Sequence, residues 1–338
     1  MTRALASIRT VADTQPIEDA DRIEVVAIDG WKVVARKDEF KTGDRCVYFE
    51  IDSFLPIQDE FEFLRKSCFR SVQGLGDGFR LRTIKLRKQI SQGLVMPIHD
   101  LLPARYKSAP DGTDVTKMLG VVLWEPPIPT QLQGKVRGNY PSFIHKTDQD
   151  RIQNCLKDFR KDWIDHIFET SVKLDGSSMT VFYNEGDFGV CSRNMDLAET
   201  EGNSFWQVAN MHNLRAKLTD LGMNVAIQGE LMGPGVQGNR ENLKEIDMYV
   251  FDIYDIDNQR YMPASARMSL VHVLGLKHVP LIEQAIFSGF EDVGDFMRYT
   301  DRPSLHHSIA EGVVFKSIQD PDVSFKVIND GFLLKEKD

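Results

Sequence analysis

No run of apolar residues in this chain of 338 approaches the ~20 needed to cross a bilayer, so no helical membrane span is expected. The opening residues Met1-Thr2-Arg3-Ala4-Leu5 lack the apolar core of a secretory leader, and a cytoplasmic protein is expected. Cysteine is scarce. Cys46, Cys68, Cys155 and Cys191 stand far apart with no C-x-x-C pair, which argues against structural zinc and for free thiols. Internal repeats and low-complexity segments are absent. A surplus of positive charge is missing too: the net charge is −9. Its distribution is uneven, with nineteen basic and nineteen acidic side chains in residues 1–125 against 22 and 31 in the remainder. An acidic domain can still act on phosphates where placed lysines and metal ions reverse the local field. Bulk charge therefore excludes neither nucleotide nor nucleic acid.

What is present is enough for two soluble domains with buried cores. Residues 1–120 read as short strands between turns. Ile23 to Arg36 alternates around Asp29-Gly30, Arg45 to Ile51 follows the turn Lys41-Thr42-Gly43-Asp44, and Arg80 to Arg87 and Gly93 to Pro97 complete the set. Four or five such strands suit a small closed barrel of the OB type. A proline-bearing stretch around Trp124 to Pro129 marks a linker over 121–140. In residues 141–338, Thr147 with Asp150 looks like a capping box opening a helix that carries Ile152, Cys155, Leu156, Phe159 and Trp163 on one face. Strands are expected at 168–174, 178–183, 224–233, 246–256, 311–318 and 323–328. Helices are expected at 204–218, opened by Ser204 and Gln207, and at 264–275 and 288–299. Runs of strands interrupted by helices give an α+β fold with mostly antiparallel sheets.

Five segments carry the chemistry. Ser171-Val172-Lys173-Leu174-Asp175-Gly176 holds a K-x-D-G string. It is followed by Gln228-Gly229-Glu230-Leu231, Val250-Phe251-Asp252-Ile253-Tyr254, Glu311-Gly312-Val313-Val314-Phe315-Lys316 and Ser324-Phe325-Lys326-Val327. This ordered series resembles the motifs of covalent nucleotidyltransferases: ATP-dependent RNA and DNA ligases and mRNA capping enzymes. Twelve residues follow Lys326, too few for the OB domain that DNA ligases and capping enzymes place after this core, so the barrel is expected to precede it. That order resembles a clade of ATP-dependent RNA ligases with an N-terminal OB module. The phrases Gly78 to Lys85, Ser91 to Pro97 and Lys146-Thr147 with Asp150 to Asn154 are similar to that clade as well. The last motif of the family often reads K-x-K, where this chain has Ser324-Phe325-Lys326.

The resemblance implies an RNA ligase that spends ATP, with Mg2+ or Mn2+, to join RNA 3′-OH and 5′-phosphate ends as a monomer, with RNA repair as the expected setting. Lys173 would be the nucleophile. An amine attacks phosphorus only when neutral, so its pKa must fall from about 10.4, with Lys316, Lys326 and a metal as the groups to lower it. Asp175, Glu230 and Glu311 would hold the metal, as hard oxygen donors do. Gly229 and Gly233 flank Glu230 and favour close approach by a ligand. The nucleotide would meet Val172, Lys146, Arg151, Arg193, Glu230, Phe251, Lys316 and Lys326. Of these, Phe251 suits a base stack and an apolar core equally. Arg193 suits a phosphate or a simple turn, and Lys146 and Arg151 suit an anion at a helix entry or exposed helix charges. On the barrel, Arg80, Arg82, Lys85, Arg87 and Lys88 place five cations in nine residues for RNA or pyrophosphate, although alternate strand positions point to opposite faces. DNA sealing, GMP capping and a non-catalytic RNA binder on the same core are the alternatives.

Overall fold

Asp29 and Gly30 turn the chain between Ile23–Ile28 and Trp31–Arg36, placing Ile28 opposite Trp31. Asp29 takes a positive φ of 51°, which short polar residues tolerate in such turns. The computed structural model describes residues 4–18, 20–72, 75–87, 89–124 and 136–334. Two units result, Met1–Ile128 and Pro129–Asp338. Most of the expected linker and Lys88 lie outside the described residues.

In the first unit the hairpin joins Asp13–Pro16 in one small sheet. Ala6–Thr10, Arg45–Phe49 and Leu94–Pro97 make a second. Val122–Leu123, Ser53–Pro56, Gly76–Arg80 and Phe69–Val72 make a third, and Thr83–Leu86 pairs with Gln89–Gln92. Ile8, Val47, Phe49, Leu55, Phe61 and Phe79 fill the interior. The described residues to Pro97 hold eleven strands rather than four or five. The expected strand Arg80 to Arg87 is two, because Leu81 donates its N–H to Ser53 and ends the pairing there.

The second unit has two antiparallel-rich sheets. The larger runs Val136–Asn139, Met195–Leu197, Asp187–Cys191, Ser177–Asn184, Val225–Met232, Asp247–Asp255, Arg260–Tyr261. One face packs Ile227, Leu231, Met248 and Val250 on the helices Ser204–Met211, Leu214–Leu221 and Ala264–Leu274. The smaller sheet runs Asp150–Arg151, Ser324–Ile328, Gly312–Ser317, Ile167–Lys173, Leu281–Ile286. Its core face is aromatic. Phe168, Phe315 and Phe325 meet Phe159, Phe287 and Phe296, with Phe315 and Phe325 stacked at 4.8 Å. Each such ring buries ~150–250 Å². Since strand side chains alternate, seating Phe315 and Phe325 in this core turns Lys316 and Lys326 to the other face.

Helix entries differ from expectation at two places. Asp150 and Arg151 pair in parallel with Phe325 and Lys326, and the helix begins at Ile152 with no side-chain cap. Asn203, not Ser204, caps the next helix, accepting from the N–H groups of Phe205 and Trp206. That helix stops at Met211, because Asn213 turns left-handed at φ 52° before Leu214–Leu221.

Candidate active site

Lys173 is the last residue of its strand, and within four residues the chain enters the larger sheet at Ser177. The two strands flanking Asp175-Gly176 therefore do not pair with each other. Lys173 lies opposite Gly312, where a Cβ would come within 2.1 Å of the Val327 carbonyl oxygen. Only glycine lets three strands close at this point. Glu311 precedes Gly312, and its Oε1 lies 2.7 Å from Lys173 Nζ.

Burial pulls the Lys173 ammonium toward neutrality. Glu311, Glu230 and Asp175 together outweigh it, and the pKa stands above the ordinary lysine value. The expectation of a lowered pKa thus fails for the protein alone. The charges converging on Lys173 are carboxylates, whereas Lys316 is bound to a partner of its own. Glu230 shows the reverse side of the same cluster. Desolvation, opposed by Lys173 and reinforced by Glu311 and Asp175, pushes its carboxyl up to about 8. No three acidic, histidine or cysteine side chains among the described residues gather as a metal shell. Asp175, Glu230 and Glu311 surround the Lys173 ammonium. Gly229 and Gly233 admit neighbouring backbone rather than ligand, since added Cβ atoms would meet Tyr249 O and Ile246 Cα, each at 2.6 Å.

Phe251 owes its position to a bulge. Gln228 pairs with Asp252 and Gly229 with Val250, leaving Phe251 as the extra residue. Its ring is half-buried beside Val172, Leu174 and Tyr249. Its carbonyl accepts from Lys316 Nζ at 2.6 Å, and Asp252 Oδ2 accepts from the same ammonium at 2.6 Å. Burial, then the nearby Arg267, draw the Lys316 pKa below the ordinary value against the pull of Asp252. Lys326 Nζ and Arg193 lie 3.8 and 3.6 Å from the same oxygen of Asp148. Lys146 donates to Asn194 Oδ1 at 2.9 Å. Arg151 is buried beside Lys326 in the sheet rather than exposed on a helix. The Val172 N–H is spent on the Pro280 carbonyl at 2.9 Å. A cleft of about 350 Å³ opens next to these groups, lined by His145 to Asp150, Asp252, Tyr254, Tyr261 and Ser324.

On the barrel the basic run divides. Arg80 is 5% exposed and lies 3.5 Å over the Trp124 ring, so it packs the fold rather than facing a ligand. Arg82 is half-buried, and Lys85 and Arg87 are exposed.

A family model described as RNA ligase matches residues 167–328, the stretch that carries Lys173, Lys316, Lys326, Asp175, Glu230 and Glu311, and one described as an OB-fold domain matches residues 5–98. A manganese- and AMP-bound lysine-to-methionine mutant of Naegleria gruberi RNA ligase is 42% identical, with a TM-score of 0.92 over 99% of this chain and 100% of that one. The chain belongs to the RNA ligase family. Naegleria gruberi RNA ligase with PPi is also 42% identical, at TM-score 0.90 over 98% of each chain. A glutamate-to-alanine mutant of it with ATP and Mn has the same identity and TM-score over 99% and 100%. No curated protein matches. This RNA ligase thus carries an N-terminal OB fold ahead of its ligase domain, as the motif order implied. Sequence reasoning missed Glu169 and Arg267, which pair with each other beside Lys316 and Asp252.

Proposed function

We infer that Lys173 is the residue that carries AMP in this ATP-dependent RNA ligase. The observation behind the reading is the position of Lys173 Nζ, 2.7 Å from Glu311 and ringed by Glu230 and Asp175 where the two sheets meet. Lys173 Nζ attacks the α-phosphorus of ATP, the bond from that phosphorus to the bridging oxygen breaks, and pyrophosphate leaves. AMP then passes from nitrogen to the 5′-phosphate of an RNA. A 3′-hydroxyl attacks that phosphate, releases AMP and seals the strand. Before the first attack Lys173 must lose its proton, and Glu311 is the group in hydrogen-bond contact with it.

Glu230, Glu311 and Asp175 are the hard oxygen donors that would hold Mg2+ or Mn2+ with the phosphates, and the ion would neutralise the carboxylate charge that holds the Lys173 proton. Lys326, Arg193 and Lys146 would take the phosphates, with Arg151 supporting Lys326 from the neighbouring strand. Phe251 supplies a ring for the base, and Lys316 holds its backbone. Lys85, Arg87 and Arg82 remain as the barrel's contacts for RNA or pyrophosphate. The chain acts as a monomer in the cytoplasm, on ends held together as a nick or break. Among the described residues no helix is long and apolar enough to cross a membrane.

The test is incubation with α-labelled ATP or GTP and a divalent metal. Label from ATP on the wild type, absent from Lys173→Ala, is expected. Label from GTP would move the reading to capping, and no label at all would leave an inert RNA binder.

A further inference from the structure

Four charged side chains lie buried together beyond Lys173: Glu169, Asp252, Arg267 and Lys316, each at most 9% exposed. Glu169 and Lys316 are cross-strand partners in the smaller sheet. Asp252 belongs to the larger sheet, and Arg267 to the helix Ala264–Leu274 packed on it. Lys316 pairs with Asp252, Arg267 pairs with Glu169, and a second Arg267 nitrogen stands 4.0 Å from Asp252. Each ion pair therefore runs from one sheet to the other side. Arg267 is itself oriented, since its Nε donates to His278 Nε2 at 3.1 Å.

Such a group is a poor way to gain stability, because apolar side chains of equal volume commonly do as well or better. Nor is the region packed to closure. A cavity of about 20 Å³, room for one water, borders all four residues, and Glu169 Oε2 has no hydrogen-bond partner among the described residues. Directional bonds, not tight packing, fix the geometry here. What they fix is Lys316 and, through its bond to the carbonyl, the bulged Phe251.

We propose that Glu169 and Arg267 are positioning residues for nucleotidyl transfer, forming a charge clasp that sets the spacing of the two sheets and fixes Lys316, which in turn aims Phe251 at the nucleotide. This rests on the reading of Lys173 given above. The clasp acts at a distance, since Glu169 and Arg267 need not touch the nucleotide.

The experiment compares wild type, the double variant Glu169→Met with Arg267→Met, and Glu169→Gln. It measures the single-turnover rate of lysyl-AMP formation at saturating α-labelled ATP, the ATP concentration giving half that rate, and Tm. The double variant keeps volume and removes both charges, so its Tm stays near that of the wild type while the saturating rate falls about tenfold or more. A folded double variant with the wild-type rate overturns the proposal. Should it fail to fold, Glu169→Gln decides. It keeps the shape, and a several-fold lower saturating rate at unchanged Tm is expected, whereas an unchanged rate overturns the clasp. No label on the wild type itself overturns both readings, and label on a wild type matched by every variant overturns this one alone.

Discussion

Lys173 and Lys316 stand on adjoining strands of one sheet, and both are largely withdrawn from water, yet they titrate in opposite directions. Around Lys173 the near charges are all negative: Glu311, Glu230 and Asp175 hold the proton on against burial. Around Lys316, Asp252 and Glu169 favour the charged form, but Arg267 draws on both carboxylates and opposes it, so burial prevails. The difference teaches that burial sets only the size of the stakes for an ionisable group. The local ratio of anions to cations sets the sign. One environment is a net negative socket whose charge awaits a partner. The other is already balanced and serves as framework.

The sharpest break in this comparison comes from deleting each amine. Lys173→Ala should abolish lysyl-AMP, a loss of at least ~10³-fold by label transfer, and should lower Tm by the smaller amount of the two, since the Lys173 and Glu311 side chains still reach solvent at 25% and 15% exposure. Lys316→Met should instead unfold readily. It leaves Asp252 buried and under-paired, at a cost of about 3 kcal/mol or more, and Tm should drop by roughly 5–10 °C. Equal Tm losses for the two would erase the distinction between socket and framework.

Glu230→Gln sharpens it from the carboxylate side. The raised pKa of about 8 means that ionising Glu230 is harder in the folded chain than in the unfolded one. Its protonated form is the stabilised one, so that contribution is full below the unfolded pKa and is lost as pH rises through about 8. The glutamine variant should therefore match wild type near pH 4.5 and gain about 2–5 °C in Tm by pH 8–9, while losing activity. A Tm difference independent of pH would show that Glu230 is not strained by its surroundings.

The smallest effect concerns His278. Burial, with Arg267 close by, lowers its pKa, so the neutral ring that accepts from Arg267 is the folded form. Stability from it is present above the unfolded pKa near 6.5 and lost as pH falls through the lower folded value. Tm should decline below about pH 6, and less steeply in His278→Gln. Identical slopes would detach the histidine from the framework.

Much of this is legible in the chain. Phe315 with Lys316 and Phe325 with Lys326 alternate as strand residues must, so the order of residues alone tells core from cleft. Lys173, Glu230 and Glu311 are legible as an ordered motif. Convergence is not. The direction of the Lys173 shift depends on three carboxylates arriving from different strands, not on its neighbours in sequence. Phe251 is presented by a bulge, which is a property of register between two strands. Asp150 reads as a capping residue because its true partner, the strand at Phe325, lies far along the chain. Arg80 reads as part of a ligand surface because nothing local announces Trp124 beneath it. Glu169 and Arg267 each pass for an ordinary surface charge until the fold encloses them.

The short crossing from Lys173 to Ser177 has one more implication. A second short crossing, His278 to Leu281, passes beside it, and the two are tied by the Val172 N–H on Pro280. Together they join the two sheets here, so Lys173 stands on one of two short spans of backbone that cross between them, and the buried pairs Lys316–Asp252 and Arg267–Glu169 tie the same two layers a second time.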